Sequence, residues 1–242
     1  MLTAMLVLMV ASVPAAADIC VKHHTVTEAY EHEGEMVPEV ERDYQVWFGN
    51  GKVAYDYSNI KMLVDVSKNT LVFVNKDDST YLETTIPVKW EDIVVEEDLP
   101  RIRAYRTAGE IEELGEEKEL EGRQCAGYYL KTWIPFEEET IGETESVIWY
   151  TDDVPFDMDL YRQVHPCILT LRNFTPDFIE RMGEYTDYPV RIEETRNVRG
   201  TKIRTVNTIE EICTVDAPED LWKVPEGFTE KERITIQDIQ GH

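Results

Sequence analysis

Tyr44-Gln45-Val46-Trp47-Phe48-Gly49-Asn50-Gly51-Lys52-Val53-Ala54-Tyr55-Asp56-Tyr57 decides the fold. Tyr44, Val46 and Phe48 recur at every second position, as do Val53, Tyr55 and Tyr57. Each run therefore reads as a strand with one apolar face. Gly49-Asn50-Gly51 supplies residues that tolerate positive φ in a tight hairpin. Downstream, Ile60, Met62, Val64 and Val66 share a face, and Ser67-Lys68-Asn69 turns the chain into a strand over 70–75. Asn75-Lys76-Asp77-Asp78 turns it again into 79–84. Strands this short, broken by Gly, Asn and Asp, predict an antiparallel meander.

Further along, 87–100 is acidic and reads as a loop with a short helix. Residues 103–121 read as an exposed strand pair turning near Gly115, with a solvated helix as the competing reading. Clearer strands lie at 125–134 and 145–151. The period changes over 157–185, where Leu160, Val164, Ile168 and Leu171 recur at helical spacing. Pro166 is expected to break or kink that helix, because it lacks an N–H and crowds the preceding turn. Thr175-Pro176-Asp177 is a helix start, Phe178, Ile179 and Met182 give an apolar face, and Gly183 is placed to end it. A last hairpin spans 188–198 and 201–215 and turns at Arg199-Gly200. The stretch 221–228 reads as a short apolar clasp. The prediction is a mainly β protein: one curved antiparallel sheet over 18–242, with helices inserted late.

Residues 1–17 are apolar and end in Ala15-Ala16-Ala17, the pattern of a signal peptide. The run is too short to span a bilayer, which needs roughly 20 apolar residues. The mature chain is expected to begin at Asp18, in the periplasm or outside the cell. Ile19 before Cys20 makes a poor lipidation site. Aspartate and glutamate total 49 against 24 lysines and arginines, a formal charge of -25. That field repels nucleic acid and anionic membranes.

No G-x-S-x-G elbow, H-E-x-x-H motif or glycine-rich phosphate loop occurs, so the chain reads as non-catalytic. His23 and His24 are adjacent, and on a strand they point to opposite faces. His165 precedes Pro166, where a capping or packing role is expected. Asp152, Asp153, Asp157 and Asp159 cluster without the spacing or the glycine of an EF-hand loop. They read as a solvated loop leading into a helix N-terminus. No metal or cofactor is expected. The four cysteines form no C-x-x-C pair, and an even count in an exported chain favours disulfides.

Three stretches carry a resemblance. The first is the meander, with Met62-Leu63-Val64-Asp65-Val66, Leu71-Val72-Phe73-Val74 and Ser79-Thr80-Tyr81. The second is Gly122-Arg123-Gln124-Cys125-Ala126-Gly127-Tyr128-Tyr129, leading to Ser146-Val147-Ile148-Trp149-Tyr150-Thr151-Asp152. The third is Tyr188-Pro189-Val190 with Leu221-Trp222-Lys223-Val224-Pro225-Glu226-Gly227-Phe228. Together they resemble the lipoprotein-carrier superfamily of bacterial envelopes, and a branch of uncharacterised secreted proteins within it more than the carriers themselves. The resemblance implies a half-open antiparallel barrel with helices over its opening, and a tendency to bind acyl or other apolar groups.

On that basis the expected function is an exported binder or carrier of a lipid or other apolar ligand. Val46, Phe48, Tyr55, Met62, Val64, Trp149 and Phe178 are the expected lining. The competing reading is a non-catalytic envelope module with a solid core, whose acidic surface meets a protein partner. In a half-open barrel the terminal strands approach each other and a covering helix reaches mid-sheet. The expected bridges are therefore Cys20–Cys213 and Cys125–Cys167.

Overall fold

The computed structural model describes residues 17–136, 139–185, 187–198 and 200–240. The expected signal peptide up to Ala16 and the turn residue Arg199 thus lie outside the described residues. Strand β1 (Ile19–Thr27) leads into a separate small hairpin, β2 (Tyr30–His32) with β3 (Glu35–Val37). A meander follows: β4 (Val40–Gly49), β5 (Lys52–Asp56), β6 (Ile60–Asp65), β7 (Thr70–Asn75) and β8 (Thr80–Thr85). Short helices α1 (Trp90–Ile93) and α2 (Leu99–Ala104) precede a second meander. It begins with long strands β9 (Ala108–Leu120), β10 (Arg123–Phe136) and β11 (Glu139–Thr151). Helices α3 (Met158–Leu171) and α4 (Pro176–Met182) interrupt it before β12 (Tyr188–Val198) and β13 (Thr201–Thr214). The tail adds β14 (Thr229–Glu230) and α5 (Ile236–Gln240).

The order in the 12-stranded sheet is β14-β8-β7-β6-β5-β4-β1-β13-β12-β11-β10-β9. The sheet is curved and does not close into a barrel. Its pairs are antiparallel except the two-residue edge of β14 on β8. Strand β1 joins the meanders, paired to β4 on one side and β13 on the other. Direct partners run in a row across the first half: Val21, Val46, Tyr55, Met62, Phe73 and Leu82. This row is buried on the concave face beneath α1 and α3, whose Trp90, Ile93, Leu160, Val164 and Ile168 complete the same core.

The alternate residues point to the convex face, where Trp47, Ala54 and Leu63 pack under Leu221 of the tail. The 221–228 clasp is thus real. Lys61, only 6% exposed, holds it by donating to the carbonyls of Asp220 (3.3 Å), Leu221 (3.1 Å) and Lys223 (2.8 Å). From there the tail crosses the β8 edge and returns to the concave side, where Ile234 and Ile236 join the main core. One sheet edge is thereby covered. At the other, β9 is exposed along most of its length and carries a run of glutamates, charges that discourage edge-to-edge pairing.

Glycine allows a close approach at Gly127, where a Cβ would lie 2.7 Å from the Trp149 ring, and at Gly49, where a Cβ would displace the Asp18 carboxylate.

One expectation is corrected. Residues 108–120 are one strand, not a pair turning at Gly115. Gly115 has φ 67°, and the register against β10 shifts between Ala126 and Tyr128, so a bulge absorbs the irregularity and the strand continues. The reversal comes at Glu121-Gly122, with φ 50° and 74°. Of the two outcomes expected at Pro166, the break is not seen: α3 runs through it. It sits on the exposed side, while Val164, Cys167 and Ile168 anchor the helix to the core around it.

Candidate functional site

The helices do not fill the concave side evenly. Where the C-terminal ends of α2 and α3 meet, an apolar cavity of ≈ 350 Å³ opens between Trp90, Ile102, Ile134, Leu171 and Ile236. That volume lies in the lower part of the roughly 300–1,000 Å³ range of small-molecule sites. Asn173 fixes the junction. It takes the left-handed conformation (φ 60°), which asparagine tolerates, and its Nδ2 donates to the carbonyls of Ile102 (2.9 Å) and Tyr105 (3.0 Å). Its Oδ1 is buried and accepts no hydrogen bond. Tyr105, 43% exposed, lines the cavity and stacks on Phe136, itself 40% exposed. An apolar step therefore continues from the cavity onto the surface.

A second apolar cavity of ≈ 270 Å³ lies on the other side of Leu171, against Ile60, Met62, Phe73, Ile168 and Ile234. A larger polar cavity of ≈ 690 Å³ lies along β1, β4 and β11–β13. Its wall includes Thr25, Tyr44 and Asn207, which belong to a buried network. Asn207 Nδ2 donates to Thr25 Oγ1 (2.7 Å), and Asn207 Oδ1 lies 3.2 Å from His23 Nδ1. His23 Nε2 is 2.8 Å from the Tyr188 hydroxyl, and its ring stacks on Tyr44 with centroids 4.5 Å apart. This arrangement suits a neutral imidazole that donates from Nδ1 and accepts at Nε2. Burial accordingly pushes the His23 pKa down to about 4, against the raising effect of Asn207.

Arg172, immediately after α3, lines all three cavities. Protein surrounds it, yet its side chain is open to the space inside the cradle. Among the described residues no carboxylate lies within ion-pair distance of it, and its charge acts on His165, whose pKa burial and Arg172 together lower to about 4. Arg101 of α2 also lines the first cavity.

The expected lining residues are placed as follows. Met62 borders the second cavity. Val46, Tyr55 and Val64 are buried in the main core, and Phe48 is capped there by Phe156, the rings stacked at 3.8 Å. Trp149 lies across Gly127 with the Lys118 ammonium 4.0 Å from its ring centroid. Phe178 packs with Ile111, Leu169 and Met182 beneath α4. Arg172, Arg101, Trp90 and Asn173 lie outside the expected set. An arginine closing a helix is an ordinary match to the helix dipole, so its sequence position gives no sign of a cavity.

The other histidines and the acidic cluster fall where their patterns point. His24 faces away from His23 and bonds Asp43 at 2.7 Å, and His165 packs on Tyr161. Asp157 caps α3, accepting from the N–H groups of Asp159 and Leu160. Neither expected disulfide is formed, and all four cysteines are free thiols. Cys20 and Cys213 are direct partners across β1 and β13, with the Cys213 thiol donating to the Cys20 carbonyl at 3.7 Å. Cys125 instead turns its sulfur to the carbonyl of Arg123.

No protein-family model and no curated protein matches the sequence. The chain is similar to the crystal structure of a DUF1329 family protein from Desulfovibrio piger, at 11% identity over 87% of this chain and 91% of that one, with a TM-score of 0.28.

Proposed function

We propose that this chain is an exported, non-catalytic binder or carrier of an apolar ligand, a lipid or acyl group, acting in the periplasm or outside the cell. The observation that carries the reading is the ≈ 350 Å³ cavity under α2 and α3. Its walls are mainly apolar, and the exposed pair Tyr105 and Phe136 extends it to the surface. Apolar surface left uncovered beside a cavity marks a binding site more often than a packing fault. Native mass spectrometry of protein purified from its own host tests the reading. A co-purifying lipid is the expected result. A clean apo mass, together with no uptake of a fluorescent fatty acid, overturns it.

A second reading, an envelope interaction module with a solid core and acidic surface, draws on two observations. Phe156 fills the concave face against Phe48, and β9 is exposed and acidic. A clean apo mass with an envelope protein co-purifying in fixed ratio would favour it.

A further inference from the structure

In a chain with two carboxylates for every cation, the first cavity stands apart. Arg101 and Arg172 line it and no aspartate or glutamate does. The adjoining cavity, which shares Leu171 and Arg172, has no carboxylate in its wall either. Of the three cavities that Arg172 lines, only the polar one has carboxylates in its wall, Asp43, Asp77 and Glu194. Among the described residues, neither arginine side chain has a hydrogen-bonding or ion-pair partner. A guanidinium stays charged at any accessible pH, and its fork of N–H donors matches carboxylate or phosphate oxygens. Set among Trp90, Ile102, Ile134 and Leu171, two such groups make a charged clamp on an apolar wall.

We propose that the ligand is an anionic amphiphile, whose carboxylate or phosphate head is held between Arg101 and Arg172 while its apolar chain occupies the cavities meeting at Leu171. This deepens the apolar-ligand reading above and rests on it. The head belongs on the side of Arg172 that faces the first cavity, because on the other side Asp43, Asp77 and Glu194 would repel it.

The test compares hexadecanoic acid, hexadecyl phosphate and hexadecanol, all below their aggregation thresholds, by isothermal titration calorimetry on delipidated protein. The acid and the phosphate are expected to bind about tenfold to a hundredfold more tightly than the alcohol, the range for hydrogen bonds to charged groups. Arg172→Gln and Arg101→Gln should each reduce that preference, Arg172→Lys should keep part of it, and affinity for the alcohol should fall far less than affinity for the acid. Both side chains are exposed to the cavity, so folding is not at stake, and the wild-type comparison needs no variant. Equal affinity for acid and alcohol, unchanged in Arg172→Gln, overturns the anionic head and leaves the apolar-ligand reading standing. Failure of all three to bind overturns both. Tighter binding of the acid than of the phosphate identifies a fatty-acid-like head, and the reverse a phosphorylated one, either result supporting the clamp.

Discussion

Acidification should weaken this fold through His23, and the structure sets the size of the effect. The imidazole is 2% exposed, stacked on Tyr44 and hydrogen-bonded in its neutral form to Asn207 and Tyr188. Its pKa falls from 6.5 to about 4 on folding. Below 6.5 the unfolded chain binds a proton that the folded chain refuses, so stability declines as pH falls through that window. The slope is about 1.4 kcal/mol per pH unit at most, and the loss between pH 7 and pH 5 is about 2 kcal/mol. His24 works in the opposite sense, because its bond to Asp43 raises its pKa, and the carboxylates add their own dependence.

Both backgrounds cancel when wild type is compared with His23→Gln. Urea unfolding of the two proteins should show the wild-type advantage at pH 7 shrinking by about 2 kcal/mol at pH 5. Imidazole NMR signals of His23 should not titrate above pH 5. Parallel pH profiles for the two proteins, or a His23 midpoint near 6.5, would refute the reasoning.

Gly127→Ala should destabilise by about 1–3 kcal/mol, the usual cost of overpacking. Its Cβ would meet a Trp149 ring already held by Lys118 on β9, and an unchanged urea midpoint would contradict this. Sodium chloride should raise the melting temperature, since a net charge of -25 repels itself and salt screens exposed charges within about 10 Å at 0.1 M; a flat profile would remove the argument. Under oxidising conditions Cys20 and Cys213 should be the pair that links, because they lie opposite each other across adjacent strands. Linking should be slow, since burial pushes the Cys20 thiol up to about 12. Non-reducing peptide mapping decides this, and a Cys125–Cys167 peptide would count against it.

The meander was legible because turn chemistry and a period of two agree over 44–85. Asn50, Gly51 and Asn69 do adopt positive φ, at 26°, 74° and 55°. Helices α3 and α4 were legible from apolar spacing and from Thr175-Pro176. Gly115 misled because a left-handed glycine serves a bulge as well as a turn. Pro166 left a break and a kink both open, because the pattern does not say how firmly the flanking turns are anchored. The site was the least legible part. Alternation tells which face Phe48 occupies, but not that Phe156, more than a hundred positions away, lies on it. Arg101 and Arg172 matter because two helix ends converge, and that convergence is set by side-chain-to-backbone hydrogen bonds such as those of Asn173, which leave no periodic trace.

The position of β1 has a consequence in time. Ile19 pairs with Thr214, so β1 finds its second neighbour only after all the residues between them have been made. Each meander can assemble from its own short-range hairpins, but the seam between them waits for β1 to meet β13, a contact far along the chain and of the kind that closes slowly. Throughout that interval β1 shows an open row of N–H and C=O groups, the edge most exposed to pairing with another molecule. The vulnerable species is thus not the unfolded chain but the half-built one, with its first meander complete and its middle strand still an edge.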